Sequence, residues 1–510
     1  MLPMNIFFRG EDPLATITPT PESDAPGGLR AGALHAFDTV IMAFAGSAPA
    51  YSLGATTPIL IGTAGLYGPA ALLWCALPML GIAIAFNYLG RLDVNAGASY
   101  SWVARALHPA LGFISGWSLV VSATIFMVAG SLPAGQYTLS LFSDTASDNT
   151  WACIGVGAVV FLVMAALVLR GVAITAQAQW IMTGIEVSIL IIFGIAALIH
   201  GGTAEPFSWS WLWGWGHFGG MSGFAGAALI AAFYFWGWDV TANLAEETHD
   251  SKRNSGLGGL VGVVGVFVLF EVFTIAANML FTQRQITDSD NLLADLGDMV
   301  APNWGGKLLV LAVVLSTIAT LETTLIQVSR TLFAMGRDRT LPRIFGAAHR
   351  RWLTPWFAVV AVSVISLLLF VASTKLGGVS TIMTDAISAI GLQICLYYAL
   401  AGIAVVVAYR KVAFASLKSA VLVAVWPALG AAFMIFLLVQ SCFGANRLTG
   451  AELGIGFGAV GVGIIPMAYY WLTGSAWFRD PGPRLDAAIV LDVEPREVAG
   501  VTSAAGEAAS

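Results

Sequence analysis

The sequence predicts an all-α integral membrane protein of twelve transmembrane helices, and three observations carry that prediction. The 510-residue chain is 58% hydrophobic and only 10% charged, with a mean hydropathy of +0.82, well beyond the apolar share of soluble domains. Runs of roughly 20 mostly apolar residues, each able to cross a hydrocarbon layer of about 30 Å as a helix, recur along almost the whole length. Lys and Arg are unevenly placed: with both ends set in the cytoplasm, only Arg284, Lys307, Lys375 and Arg447 of the 23 basic residues fall outside. That bias favours an even number of spans, both termini cytoplasmic, in a multi-pass protein of the cell (plasma) membrane. A bilayer interior has no water for unpaired backbone groups, so the spans must be helices, and their lengths do not suit barrel strands.

In chain order, residues 1–31 form a tail rich in Pro, Thr, Glu and Asp, without the pattern of a removable signal peptide. Spans follow at 33–62, 68–90, 101–141, 151–169, 173–199, 221–245, 257–281, 305–336, 353–372, 379–409, 418–440 and 453–473. Two five-span units, about 32–200 and 221–410, precede two added helices at about 418–473, the whole domain covering 32–475. The polar, Pro/Ala-rich chain at 476–510 is expected to be a mobile cytoplasmic tail. The loops are too short for an independent soluble core, which places function within the membrane. Trp209, Trp211, Trp213 and Trp215 in "SWSWLWGWGHF" are expected at an outer aromatic belt. "NLLADLGDMV", 291–300, gathers Leu292, Leu293, Leu296, Met299 and Val300 on one face and predicts a short helix on the outer surface, a connector or a lid.

Two spans are interrupted. "AFAGSAPAYSLG" puts Gly46, Ser47 and Pro49 in the middle of the first, and "FYFWGWDVTANLAEETHD" puts Gly237 and Asp239 in the middle of the sixth. Breaks at matching places in two halves, about 190 residues apart, are the pattern of an inverted-repeat transporter whose substrate sits between half-helices near the midplane. Backbone amides near Ala50 and Tyr51 would carry the positive end of a helix dipole and could hold a carboxylate, although Pro49 cannot donate. A kinked packing helix with Gly46 and Ser47 against a neighbour is the alternative.

The stretches "NAGASYSWVARALHPALGFISGW", "FYFWGWDVTANLAEETHDSKRN", "SRTLFAMGRDRTLPRIF" and "TPW" resemble the amino acid-polyamine-organocation permeases. The resemblance implies a LeuT-like five-plus-five inverted repeat, with helices 1 and 6 broken and two added helices, moving amino acids or related amines by alternating access. It maps a substrate-carboxylate site onto Gly46, Ser47 and Ala48, beside Ala50. Ala48 stands where the family commonly has a second glycine, which leaves room for an amine lacking a carboxylate. The resemblance also matches the gating aromatic and contact residue to Phe233 and Trp236 next to Gly237, and the acidic residue after the break to Asp239. A ring face at Phe233 or Trp236 suits an ammonium group.

Ionisable residues within spans cost roughly 2.5 to 3.5 kcal/mol each and default to functional candidates. Glu186 lies at the middle of span 5, where the resemblance places a titratable Lys in some proton-coupled members. It is a candidate proton-coupling site, or else a neutral hydrogen-bonded packing residue. Glu322 in span 8 is a candidate for an ammonium or coupling ion, and Thr320, Thr323 and Thr324 around it could form a sodium site. Glu271 and Asp385 are further candidates. Asp38, Glu246 and Glu247 are expected to form an inner gate with Arg or Lys.

The function expected is therefore secondary active transport of an amino acid or amine, with H+ as the coupling ion. Exchange and sodium coupling are the alternatives. Its partners are a small amino compound and the lipid bilayer, without nucleic acid. No cofactor or metal is expected: the six histidines form no HExxH pair, no GxxxxGK[ST] loop appears, and Cys75, Cys153, Cys395 and Cys442 lack paired spacing. These absences also argue against a metallohydrolase and an ATP-driven pump.

Overall fold

A computed structural model describes residues 28–202, 204–289, 291–373, 379–445 and 447–490. The tail at 1–27, Lys375 and the chain beyond 490 lie outside the described residues. Among the described residues every regular element is helical, apart from one isolated parallel bridge between Leu34 and Thr248.

Among the described residues ten helical stretches are long and apolar enough to cross a membrane. The first, Ala36–Leu92, has 57 residues, which at 1.5 Å per residue is about 85 Å of helix and far more than one crossing. It doubles back at the 3₁₀ turn Gly65–Tyr67, where Gly65 has φ +59°. A shorter apolar helix, Met221–Tyr234, covers the sixth predicted span. The third span begins later than expected. Ser99–Ala106 is a separate short helix, and the long helix Pro109–Ser140 starts only after His108, which is extended (φ −157°, ψ 141°). Pro109 favours that geometry, because its ring disfavours a helical conformation in the residue before it.

Prolines also explain two π-helical turns. Ser52–Thr56 precedes Pro58, and Ala420–Val425 precedes Pro427; with no proline N–H to donate, the ladder slips to a wider spacing there. The Ser251–Leu280 helix lies unusually close to Ala36–Ser47. A Cβ on Gly262 would sit 2.4 Å from the Ala43 Cβ, and one on Gly258 would sit 2.3 Å from the Thr39 hydroxyl. Small residues let these helices touch where lipid supplies no hydrophobic drive.

One end of the bundle collects the basic residues. There Leu34 N–H donates to Glu247 O (3.0 Å) and His249 N–H to Leu34 O (2.7 Å). The C-terminal segment corrects the expectation of a mobile tail from residue 476. Trp477 stacks on Tyr100 with centroids 4.7 Å apart. Leu485 N–H donates to Arg105 O (3.2 Å), Arg105 Nε donates to Pro483 O (2.8 Å), and Lys411 pairs with Asp486 at 2.7 Å. Trp477, Phe478, Leu485 and Ala487 are buried, so apolar side chains spaced along a polar segment dock it under the bundle.

At the opposite end the predicted short helix exists as Leu292–Val300, but it packs inward. Leu292, Leu293 and Leu296 are buried, and Gly297 meets the Gly305 backbone. The tryptophans of 209–215 divide: Trp209 and Trp213 are exposed, while Trp211 is buried and Trp215 packs on Phe218 and Phe224.

Candidate functional site

The first break follows from two adjacent residues. Ala36–Ser47 ends because Ala48 takes left-handed dihedrals (φ 48°, ψ 58°), and Pro49 then starts a new helical arm, Pro49–Tyr51, continued through Ser52–Thr56 to Thr57–Ala64. A non-glycine residue in that region costs roughly 1 to 2 kcal/mol. In the second break, Met221–Tyr234 stops, Gly237 adopts φ +96°, and helix resumes at Val240–Asn243.

The two breaks touch. A Cβ on Gly46 would lie 2.2 Å from the Gly237 carbonyl oxygen, and one on Gly237 would lie 2.1 Å from that of Gly46. Only glycine at both positions allows the backbones this approach. Thr320 Oγ1 donates to Gly46 O (2.9 Å), tying the Gly305–Arg337 helix to the same point.

The Val172–His200 helix delivers acidic and amide groups here. Gln179, Thr183, Glu186, Leu190 and Phe193 fall at alternating spacings of four and three and are buried, while Ile181, Ile185 and Ile192 are exposed. This is one helical face turned inward and the other toward lipid. Glu186 Oε1 accepts from Ala50 N–H at 2.9 Å, and Tyr51 N–H donates to Ser316 Oγ at 3.2 Å. The Ser316 hydroxyl also lies against the Glu186 carboxylate. Two turns away, Gln179 Nε2 donates to Glu322 Oε2 (2.6 Å) and to Ala319 O (2.9 Å). Among the described residues Glu186 Oε2, Glu322 Oε1, Gln179 Oε1 and Thr183 Oγ1 are buried with no hydrogen-bond partner. Thr323 Oγ1 is spent on its own helix, donating to Ala319 O and Thr320 O; Thr324 is buried on that helix as well.

Around the second break Trp236 Nε1 donates to Tyr397 OH (2.7 Å), which donates to Asp239 Oδ2 (2.9 Å). Gln327 and Tyr398 also face this carboxylate. Phe126 stands between the breaks, with ring centroids 6.0 Å from Tyr51, 6.3 Å from Phe233 and 5.7 Å from Trp236. Ser47 turns its hydroxyl back to Ala43 O (3.0 Å). The candidate residues Gly46, Ala50, Gly237 and Glu186 therefore meet at one junction. Glu322 joins it through Gln179, and Phe233, Trp236 and Asp239 line its second side.

Sequence reasoning did not single out Phe126, Gln179, Ser316, Tyr397 or Tyr398. Aromatic residues in apolar runs carry no local signal. Gln179 had one: a polar residue two turns before Glu186 on the same face.

The acidic residues near the basic end part company. Glu247 pairs with Arg330 through two hydrogen bonds of 2.9 and 3.1 Å, both side chains fully buried. Glu246 takes Arg337 at 2.9 and 3.0 Å and also accepts from Ala96 N–H. Among the described residues Asp38 pairs with no cation. It accepts from His35 N–H, which at the start of the helix has no partner in the ladder, and from the indole Nε1 of Trp180, both at 2.7 Å. Glu271 is buried with neither oxygen hydrogen-bonded, and Asp385 is half-buried on Val379–Tyr409.

Compared with known proteins, residues 34–465 match the profile of the family described as "Amino acid permease". The chain belongs to that family. Similar permeases include the low-affinity putrescine importer PlaP of Escherichia coli K12, 25% identical over 327 residues, which span 61% of this chain and 69% of that protein. The histidine permease HisP of Lactococcus lactis is 23% identical over 62% of this chain and 68% of its own length. The methylthioribose transporter of Bacillus subtilis is 23% identical over 69% and 76%. This amino acid permease homologue is a multi-pass membrane transporter and not an enzyme.

Proposed function

We propose that the protein is a secondary active transporter that carries amino acids or related amines across the cell membrane by alternating access, coupled to protons. The carrying observation is the contact of two helix breaks, Gly46 on Gly237, flanked by the buried carboxylates Glu186, Asp239 and Glu322. Splitting Ala36–Leu92 into two crossings and joining Met221–Tyr234 to its second arm raises the ten long stretches to twelve spans, in keeping with two inverted five-helix repeats plus two helices. On this reading both termini are cytoplasmic, and the Glu247–Arg330 and Glu246–Arg337 pairs close the inner side.

Coupling falls to the carboxylates. A charged group in a span is costly, and Glu186 binds the backbone of a hinge, so gain or loss of its proton changes what holds the second arm of the broken helix. Relatives bear the names of carriers of putrescine, histidine and methylthioribose, in keeping with a small polar cargo.

The test is uptake of radiolabelled amino acids and amines into proteoliposomes under an inward proton gradient without sodium. Accumulation above equilibrium that a protonophore collapses is expected, with Glu186→Gln losing the uphill component. Uptake that requires a preloaded amino compound would replace symport with exchange. Uptake that requires sodium would move the coupling role to that ion.

A further inference from the structure

We infer that Glu186 fills, with its own carboxylate, the backbone position that a cargo's carboxylate would need, and that the site accepts an organic ammonium ion without a carboxylate. This rests on the transport reading above and assigns Glu186 as the residue that determines specificity.

The donors at the first break are all committed. Ala48 N–H donates to Ala45 O (3.3 Å), Pro49 has no N–H, Ala50 N–H is held by Glu186 (2.9 Å), Tyr51 N–H by Ser316 (3.2 Å), and Ser52 N–H by Ala48 O (2.9 Å). To reach the Ala50 amide a carboxylate-bearing ligand would have to displace the fully buried carboxyl side chain of Glu186. Nor does a cation await it. Among the described residues the buried basic side chain is Arg330, and both its Nε and its Nη2 are engaged by Glu247.

On the Val172–His200 side of the junction, carboxylate and amide oxygens are left unsatisfied among the described residues. Among the described residues Glu186 Oε2 is buried without a partner, as are Gln179 Oε1, two turns along the same inward face, and Oε1 of Glu322, to which Gln179 is hydrogen-bonded. Buried acceptors of this kind call for a donor. An ammonium group brings several donors and a positive charge, and the aromatic side chains Phe126, Phe233 and Trp236 line the other side of the junction. A zwitterion would gain the same contacts with its amine but bring its carboxylate beside that of Glu186.

The deciding experiment is calorimetric binding to the purified full-length protein in detergent, using ligand pairs that differ only by the α-carboxylate: 1,4-diaminobutane with ornithine, 1,5-diaminopentane with lysine, 2-phenylethylamine with phenylalanine, and 3-methylbutylamine with leucine. In each pair that binds, the amine is expected to bind at least tenfold more tightly. Glu186→Ala, which frees the Ala50 amide, is expected to shrink that ratio by at least tenfold. Glu186→Gln, whose carboxamide oxygen still accepts from Ala50, is expected to retain part of the preference and serves where the alanine variant is unstable. Equal or tighter binding of the amino acid by the wild type would overturn the inference and leave the transport reading intact. Absence of binding by every pair, together with absence of uptake in proteoliposomes, would overturn both.

Discussion

Gly46 and Gly237 are constrained for different reasons, and substitutions should separate them. Gly46→Ala keeps ordinary helical dihedrals and meets the Gly237 carbonyl and, more loosely, Val240, whereas Gly237→Ala meets the Gly46 carbonyl and must also hold φ +96°. Overpacking costs about 1 to 3 kcal/mol, and left-handed geometry adds to it at position 237. Thermal denaturation in detergent should therefore rank Gly237→Ala as the less stable of the two, with both losing uptake. The Glu247–Arg330 pair gives a second residue-scale prediction. Removing one partner leaves an uncompensated buried charge, so Glu247→Ala should destabilise by about 3 to 5 kcal/mol, and Glu247→Met combined with Arg330→Leu should cost much less. A double-mutant cycle on melting data would check this; equal losses from the single and double variants would contradict it.

Among elements, the C-terminal segment offers the clearest test. Burial raises the pKa of Asp486, but the hydrogen bonds from Lys411 and Ala488 N–H outweigh it and hold the carboxyl below its ordinary value. A group whose folded pKa is lowered stabilises the docked state above its unfolded pKa, and that contribution is lost as pH falls through the folded pKa. Docking of 476–490 should accordingly be unchanged from pH 5 to 8 and weaken below about pH 4. Limited proteolysis of the tail across that range is the measurement. At neutral pH Asp486→Asn should increase cleavage, and Trp477→Ala, which removes the stack on Tyr100 and a buried indole, should increase it further. The docked tail was not legible in composition because its anchors are few: Trp477, Phe478 and Leu485 stand among Pro, Gly and charged residues, with no periodicity to announce them.

For the whole molecule, the proposed alternating access would require the basic end to open, and the Leu34–Thr248 bridge lies at that end. Residues paired across a bridge lie within the Cα separation of about 4.4 to 6.8 Å that a disulfide needs. Oxidised Leu34→Cys/Thr248→Cys should therefore lose uptake and recover it on reduction, measured in proteoliposomes. Full uptake by the verified cross-linked form would show that this contact does not open during transport.

The sequence by itself determined the membrane class, the positions of nearly all spans and both helix breaks, because apolar length, Gly/Pro placement and the Lys/Arg bias are local or additive properties of the chain. It also supplied the separate members of the site: Gly46, Ala50, Glu186, Gly237, Asp239 and Glu322 were each visible as an oddity within an apolar run. Only the tertiary structure decided which of them meet. Ala50 and Glu186 are 136 residues apart, and their hydrogen bond depends on the face that Val172–His200 turns inward and on the close approach that glycine permits between the two breaks. For the same reason Phe126 and Tyr397 became visible only as neighbours. An aromatic side chain in a lipid-embedded helix looks the same in sequence whether it packs, faces lipid or lines a site, and three-dimensional proximity alone distinguishes these roles.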